Sequence, residues 1–568
     1  MNKTNTVIKA KLLCIILFSV VLYSCRSESK QGLTSSYLST DDEDILNGKV
    51  IFEQKCSYCH NFNQDAIGPN LSGITKEVSV QWIKEFIKNP SLVLSENDER
   101  ALALHEKYKI NMPGFPDLSE KEFNELISYI NSYSKKKATS NTNLGNPIDN
   151  PIEDTLVYSD INANIKFVAQ VPASAKSPTL ARINKLDCAG NSGRIFINDL
   201  RGKLYELNNN QPKLYASISE FNKNFVHEPG LGTGFGSFAF HPNFEENGLF
   251  YTAHSEKPDT KKADFFLPDS IPTKMQWVVK EWKNKDPKST SFEGTVRELL
   301  RIDFVTIMHG IQEIAFNPTS SKNESDYGML YISLGDGGSV GQGFPEVALH
   351  EGSQVWGTIL RIDPSGNNSG NGKYGIPTDN PFINSKQKKK EIWAYGFRNP
   401  NRVCWNTKGQ MFATDIGHKI VEEVNLIEPG KFYGWPIREG AFVLNTFGNQ
   451  SLAYPLPQND DEYGVTYPVI EYDHDDGVAI SGGFFAQKPP FNGKYIFGDI
   501  PVGTVFIADL SETKQRNIKK LNIVLKEKQT DFAQLIKKNR VDLRLGQDCN
   551  GDIYMLTKAD GKIYKMTY

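Results

Sequence analysis

The stretch Cys56-Ser57-Tyr58-Cys59-His60 sets two thiols at a C-x-x-C spacing with an imidazole directly after the second. Covalent haem attachment needs this arrangement: two thioethers to the vinyl groups and a histidine that reaches the iron from the same side. No second cysteine pair lies nearby to complete a zinc site. Far downstream, three polar clusters stand at the ends of short apolar runs. His309-Gly310 is followed by Leu334-Gly335-Asp336-Gly337-Gly338, and Gly396-Phe397-Arg398-Asn399-Pro400-Asn401-Arg402 forms the second cluster. The third, Asp415-Ile416-Gly417-His418, leads into Glu422-Glu423-Val424-Asn425 and Phe432-Tyr433-Gly434-Trp435-Pro436.

The elements that must deliver these residues begin with an export signal. Leu12 to Leu22 is apolar except for Ser19 and follows Lys3, Lys9 and Lys11, the pattern of a secretory leader, and it is shorter than the roughly 20 residues a spanning helix needs. Leu22-Tyr23-Ser24-Cys25 resembles a bacterial lipobox, which implies removal of residues 1–24 and lipidation of Cys25, an anchor strong enough for stable attachment. The expectation is a cell-envelope protein, periplasmic or outer-membrane-associated, held to the membrane by lipid. The seven cysteines fit that compartment: Cys188, Cys404 and Cys549 remain after lipid and haem are assigned, so at most one disulfide forms and one thiol stays free. A net charge of −3 with both signs interspersed argues against nucleic acid as a partner.

After a Ser/Thr-rich tether at 25–41, the pattern turns helical. Ile45, Gly48, Ile51 and Phe52 share a face leading into Cys56; Val80, Ile83, Phe86 and Ile87 repeat at helical spacing and stop at Asn89-Pro90; Ser119-Glu120-Lys121-Glu122 is a capping box before Phe123, Leu126, Ile127 and Ile130. The order helix, C-x-x-C-H, Gly68-Pro69-Asn70-Leu71, helix, Met112-Pro113, helix resembles a small class I cytochrome c over about residues 42–135. The resemblance implies an all-α domain carrying haem c on Cys56 and Cys59, with His60 as proximal iron ligand and Met112 as distal ligand, His105 being the competitor.

Residues 136–154 are polar and read as a linker. From 155 to 568 the texture is β: short runs such as Arg194–Asp199, Gly248–Thr252, Gly328–Ser333, Lys494–Asp499 and Asp552–Leu556 recur between Gly, Asp and Asn turns, the signature of a propeller. Residues 257–293, rich in Lys, Asp and Pro, read as a surface insertion carrying Trp277 and Trp282. The three polar clusters, with Phe238-Ala239-Phe240-His241-Pro242-Asn243-Phe244 and Leu360-Arg361-Ile362-Asp363-Pro364, resemble the soluble quinoprotein glucose/sorbosone dehydrogenase family over roughly 160–568. That family implies an all-β six-bladed propeller binding pyrroloquinoline quinone (PQQ) and often calcium. By the resemblance His309 is the general base, Asp336 holds its imidazole, Arg398 and Asn399 face the quinone, and the carbonyls of Gly417 and His418 match the calcium loop. A neutral imidazole near pH 7 can take a hydroxyl proton while hydride leaves the carbon.

Three departures stand out. The family's acidic or amide residue before a Gly-Leu-Leu-Gly turn is replaced by Gly232-Thr233-Gly234-Phe235-Gly236-Ser237; its arginine pair falls at Val541 and Leu543, beside Arg540 and Arg544; its calcium-loop proline is His418. The expected activity is PQQ-dependent oxidation of a sugar or related alcohol, electrons passing to the haem and on to a respiratory acceptor, with Arg544 among the cofactor contacts. The alternative is a propeller without quinone that binds a glycan or protein while tethered to an electron-transfer cytochrome.

Overall fold

The computed structural model describes residues 38–567 apart from 57–59, 61, 63–67, 109–111, 113, 134–143, 177–178, 191, 229–231, 448–449, 511–517 and 539. The leader and Cys25 lie outside the described residues, as does Cys59. The chain divides into two compact units, 1–140 and 141–568. No helix among the described residues is long and apolar enough to cross a membrane.

The first unit is helical. Asp42–Lys55 starts on Asp41, whose carboxylate accepts from Glu43 N, and Glu120–Ser132 starts on the expected capping box, Ser119 and Glu122 each accepting from the other's amide. These two helices cross where a methyl group at Gly48 would overlap the carbonyl of Glu125, so the crossing needs glycine. Phe52, Phe62, Phe123, Leu126 and Ile127 fill the core around it. Val80–Lys88 ends where Asn89-Pro90 predicts, but Asn89 also caps a new helix, Pro90–Ser95, through its side chain to Leu92 N. That helix and the following Glu99–Tyr108 were not legible from periodicity, since both are short and mostly exposed on their outer faces.

The second unit is β-rich. Antiparallel sets of strands follow one another along the chain: Ile183–Cys188 opens one, Phe235–Phe240 the next, then Ile311–Phe316, Pro400–Trp405, Ile480–Phe485 and Leu543–Gln547. Each opening strand touches that of the next set, and Leu543–Gln547 returns to Ile183–Cys188. The long strand Tyr158–Gln170 pairs antiparallel with the C-terminal strand Lys562–Thr567 and parallel with Ile518–Leu525, so chain start and chain end share one sheet. The core lies between successive sets, as where Phe196, Phe240, Phe250 and Trp282 stack.

The opening strands meet at matching positions near their N-terminal ends. Arg402 donates to the carbonyls of Gln312 and Asn184, Asn184 to the carbonyl of Gly236, Arg544 to Asn184 Oδ1, and Ser481 to the carbonyl of Leu543. Residues just before these strands, among them Arg182, His309, Arg398 and Asp542, therefore share one rim.

Two expectations are corrected. Met275–Asn284, within the presumed surface insertion, is a strand paired on both sides, and Trp277 and Trp282 are fully buried. Lys, Asp and Pro around it masked an alternating apolar run. Within the presumed linker, Ile148 donates to the Ala453 carbonyl, and Ile148 and Ile152 pack on the cluster of Val421, Trp435 and Leu444.

Cys188 and Cys549 form the disulfide, and Cys404 is buried with its thiol pushed up by burial. The bridge ties the far ends of the two strands that Asn184 and Arg544 join at the rim. Because it closes a loop of 361 residues, Cys188→Ser should lower unfolding free energy by about 5 kcal/mol. Urea denaturation checks this: reduced wild type should match the variant, and Cys404 should stay unreactive to thiol reagents until the chain unfolds.

Candidate redox and catalytic sites

In the helical unit a cleft is lined by Cys56, His60, Gly68, Ile83, Phe86, Leu104, His105, Met112 and Phe115 among others. His60 is buried, its Nδ1 lying 2.9 Å from the carbonyl of Pro69. As the donor to that carbonyl, Nδ1 carries the proton and leaves Nε2 for a metal. Burial lowers the His60 pKa, which keeps the ring neutral and able to ligate. A methyl group at Gly68 would run into the His60 ring, so glycine lets Gly68-Pro69 lie flat on the imidazole. Apolar walls, an oriented imidazole, a thiol and a thioether in one cleft fit a covalently held haem. Met112 and His105 both line it.

In the β-rich unit the rim brings together His309, Asp336 and Arg398. His309 has φ of 49°, a left-handed conformation uncommon for a side-chain-bearing residue and characteristic of functional positions held by their surroundings. The surroundings are specific. Trp277 packs so closely under the next residue that only glycine fits at Gly310, and Gly335 allows the same close approach to the His309 backbone. His309 Nδ1 lies 2.7 Å from Asp336 Oδ1, which also accepts from Gly338 N at 2.7 Å; Asp336 Oδ2 accepts from Trp435 Nε1 at 3.0 Å. With Nδ1 donating to the carboxylate, Nε2 is the acceptor. Burial lowers the His309 pKa, Arg398 adding to the effect and Asp336 opposing it; Asp336 itself is held low by His309 against its own burial. A neutral imidazole with one committed nitrogen is a proton acceptor.

Arg398 is placed by its own backbone. Asp415 accepts from Arg398 N at 2.9 Å and from Asn399 N at 2.6 Å. Asp415 is buried and its pKa rises to about 7, burial outweighing those hydrogen bonds. Asp415, Glu422 and Glu423 are all buried and hold backbone amides. Glu439, which sequence reasoning missed, accepts from the amides of His418, Lys419, Ile420 and Val421 and so shapes the loop beside Arg398. Trp435 was visible only as part of a motif. Its indole donor to Asp336 is 99 residues away in sequence, and nothing local announces it.

The Arg398 guanidinium donates to the carbonyls of Ile416 at 2.9 Å and Gly417 at 2.6 Å, and lies 3.4 Å from His418 Nδ1. His418, half-buried beside this cation, is lowered to about 4 by desolvation and by Arg398. Positive charge at the Gly417–His418 loop is thus supplied by the chain, and among the described residues no group of three or more acids, histidines or cysteines is arranged to hold a metal. The Gly417 carbonyl expected to meet a calcium ion is taken by Arg398. The site's other features suit a flat quinone. Asn399 Oδ1 is buried without a hydrogen-bond partner among the described residues, and Arg398 lies over the Trp435 ring at 5.7 Å. Arg544, the other expected contact, is buried in the rim wall, donating to Asn184 Oδ1 and to the Leu543 carbonyl, with its pKa lowered to about 10 by burial.

The glucose/sorbosone dehydrogenase family model matches residues 182–565, and the cytochrome c model residues 45–134. The HIPL2 protein of Arabidopsis thaliana is 24% identical, covering 85% of this chain and 75% of its own. Quinoprotein glucose dehydrogenase B of Acinetobacter calcoaceticus is 26% identical over 35% of this chain and 39% of its own length. A crystal structure titled glucose dehydrogenase superposes with a TM-score of 0.52 at 18% identity, covering 71% of this chain and all but 1% of that one, a likeness of fold.

Gly68→Ala tests the haem cleft. The added methyl should displace His60, weakening the hold it would have on a haem iron; the Soret and Q bands of the purified protein should broaden or shift, and reduction should move to a different potential, with global helicity unchanged by circular dichroism.

Proposed function

The chain belongs to the glucose/sorbosone dehydrogenase family and carries a cytochrome c domain, and from that premise we propose a dehydrogenase that oxidises a sugar or related alcohol and hands the electrons to its own haem. The observation that carries the reading is the His309–Asp336 pair on a rim shared with Arg398. The β-rich unit is read as a six-bladed propeller, supported by the closed cycle of opening strands, with the site at the rim where ligands enter such channels. PQQ is the proposed cofactor, on family grounds and on the quinoprotein relative's name; when bound it supplies the two-electron acceptor that the side chains lack. Arg398 and Asn399 would hold it.

The chain's own contribution is proton handling and charge. His309 Nε2 accepts the proton of the substrate hydroxyl. Asp336 keeps Nδ1–H in place and stabilises the imidazolium that results, while Trp435 and Gly338 keep the Asp336 carboxylate from turning away. Arg398 supplies fixed positive charge where negative charge develops, without reorganisation at the moment of reaction. In the helical unit, His60 with Met112 or His105 would hold the iron between them, and the haem supplies a one-electron outlet. Having donor and acceptor on one chain raises their effective concentration. The Cys188–Cys549 bridge supports an oxidising compartment, and with the leader and Cys25 it favours a lipid-anchored envelope protein whose electrons leave to a respiratory acceptor.

The test loads the haem-containing protein with PQQ, with and without calcium, and follows haem reduction at the α band on adding aldoses. Reduction should occur without added calcium. His309→Ala should slow it by about 10²–10⁴-fold, the usual worth of a positioned base. Because the His309 pKa is lowered, the neutral form persists below the ordinary histidine range, so the acid limb of kcat/KM should fall below about pH 6.5. If no sugar or alcohol reduces the haem and His309→Ala changes nothing, the protein is a binding module instead.

A further inference from the structure

Beside the His309 rim, an open cavity is lined by Ser174, Arg182, Arg201, Lys203, Tyr205, His227 and Glu228. Arg182 directly precedes the strand Ile183–Cys188, as His309 and Arg398 all but precede theirs, so this cavity reaches the same rim at Arg182. Its charge is unbalanced. Arg201 donates to Ser174 Oγ at 2.8 Å and to the carbonyls of Thr179 and Leu180, with no carboxylate among the described ion pairs. Arg182 spends one nitrogen on the His227 carbonyl and reaches Glu228 only at 3.4 Å; Lys203 reaches Glu220 at 3.2 Å, and both acids are mostly exposed. Asp199 turns its carboxylate to the Arg201 amide and to Ser174 Oγ.

The wall behind adds to the excess. Lys558 is buried, its amide on the Asp542 carbonyl and the next amide on the Val541 carbonyl. Burial and the neighbouring Arg544 depress it to about 7, with Arg182 and Arg540 pushing the same way and Asp542 opposing them. Arg201 is likewise lowered, by burial and by Arg182, against the pull of Asp199 and Glu228. Cations crowded into a partly dry pocket repel one another, and the arrangement is stable where an anion completes it. The guanidinium forks match a planar carboxylate.

Resting on the dehydrogenase reading above, we propose that this cavity is a subsite for the carboxylate of an acidic saccharide, so that the substrates include uronic acids or uronate-containing sugars. Arg201 and Lys203 make the primary contacts, and Arg182 orients the cavity through His227. Neutral sugars would reach His309 without using it.

The carboxylate could instead belong to the quinone, and calorimetric titration of the full haem-loaded chain separates the two sources. Galacturonate and galactose are titrated into protein free of quinone, and PQQ is titrated separately, for wild type and for Arg201→Gln with Lys203→Gln. Both positions are partly exposed, so the fold should survive. Galacturonate should bind about tenfold or more tighter than galactose. The preference should shrink as salt approaches about 1 M, where the Debye length is about 3 Å. The double variant should lose that preference and keep its affinity for galactose and PQQ. Equal binding of the two sugars, an equal loss of both in the variant, or a loss confined to PQQ each overturns the proposal. If galacturonate is preferred but no sugar reduces the haem, the subsite stands and the dehydrogenase reading fails. If galactose reduces the haem while the two sugars bind alike, the reverse holds.

Discussion

The guanidinium of Arg402, fully out of solvent, is the contact on which the arrangement of the β-rich unit turns. It donates to carbonyls of two other opening strands and pairs with Glu313 at 3.2 Å, while Glu313 in turn pairs with Lys185. Lys185 closes the network on the carbonyls of Phe238 and Ile314. A buried ion pair adds little net stability, since desolvation offsets attraction, but removing one partner costs about 3–5 kcal/mol because the other is left stranded. Its effect is to set register. Gln312 lies three residues after His309, Asn184 two after Arg182, and Arg402 four after Arg398. Locking those positions together near the axis places every rim residue of consequence.

A second device recurs around the rim: a buried carboxylate that gathers backbone amides. Asp415 takes two, Glu439 four, Asp499 those of Val478, Ala479 and Val502, and Asp336 that of Gly338 along with the His309 and Trp435 donors. Each converts a loop that would otherwise leave amides unpaired into a fixed platform. The cost is electrostatic. Asp415, Glu423 and Glu471 stand opposite one another on adjacent strands; burial raises the pKa of Asp415, with Asp336 adding to it, and burial with repulsion from Asp415 and Glu471 raises that of Glu423. Both groups are protonated more readily in the fold than in the unfolded chain, so their contribution to stability is complete at low pH and declines as pH rises through neutrality. Asp336 runs the other way: its pKa is lowered, and its contribution is lost as pH falls.

The helical unit depends on a smaller constraint of the same kind. His60 is oriented by one carbonyl, that of Pro69, and by the absence of a side chain at Gly68. Both lie within ten residues of the ligand. The orientation of His60 is therefore set by local sequence, while Met112 and His105 reach the same cleft from some 50 residues away and the rim is assembled wholly from segments far apart.

The contrast explains what could be read in advance. The capping box at Ser119, the stop at Asn89-Pro90 and the glycine-punctuated strands are local rules, and the folded chain follows them; C-x-x-C-H is read from the sequence alone, its second cysteine lying outside the described residues. His309, Asp336 and Arg398 were legible because family motifs carry them together. Long-range contacts were not. Composition around Met275–Asn284 concealed a buried strand; three leftover cysteines gave no means of pairing Cys188 with Cys549; Glu439 and the Trp435 indole have no sequence signal because their partners are remote. The same holds for Gly417, whose carbonyl accepts from Arg398, since only folding brings that guanidinium to the loop. The sequence by itself determined a haem address, a helical unit, a β-rich unit and three polar clusters. Tertiary structure decided which of those residues share a rim and which nitrogen of His309 is left to act, because burial and hydrogen-bond partners are properties of the closed ring and not of any segment within it.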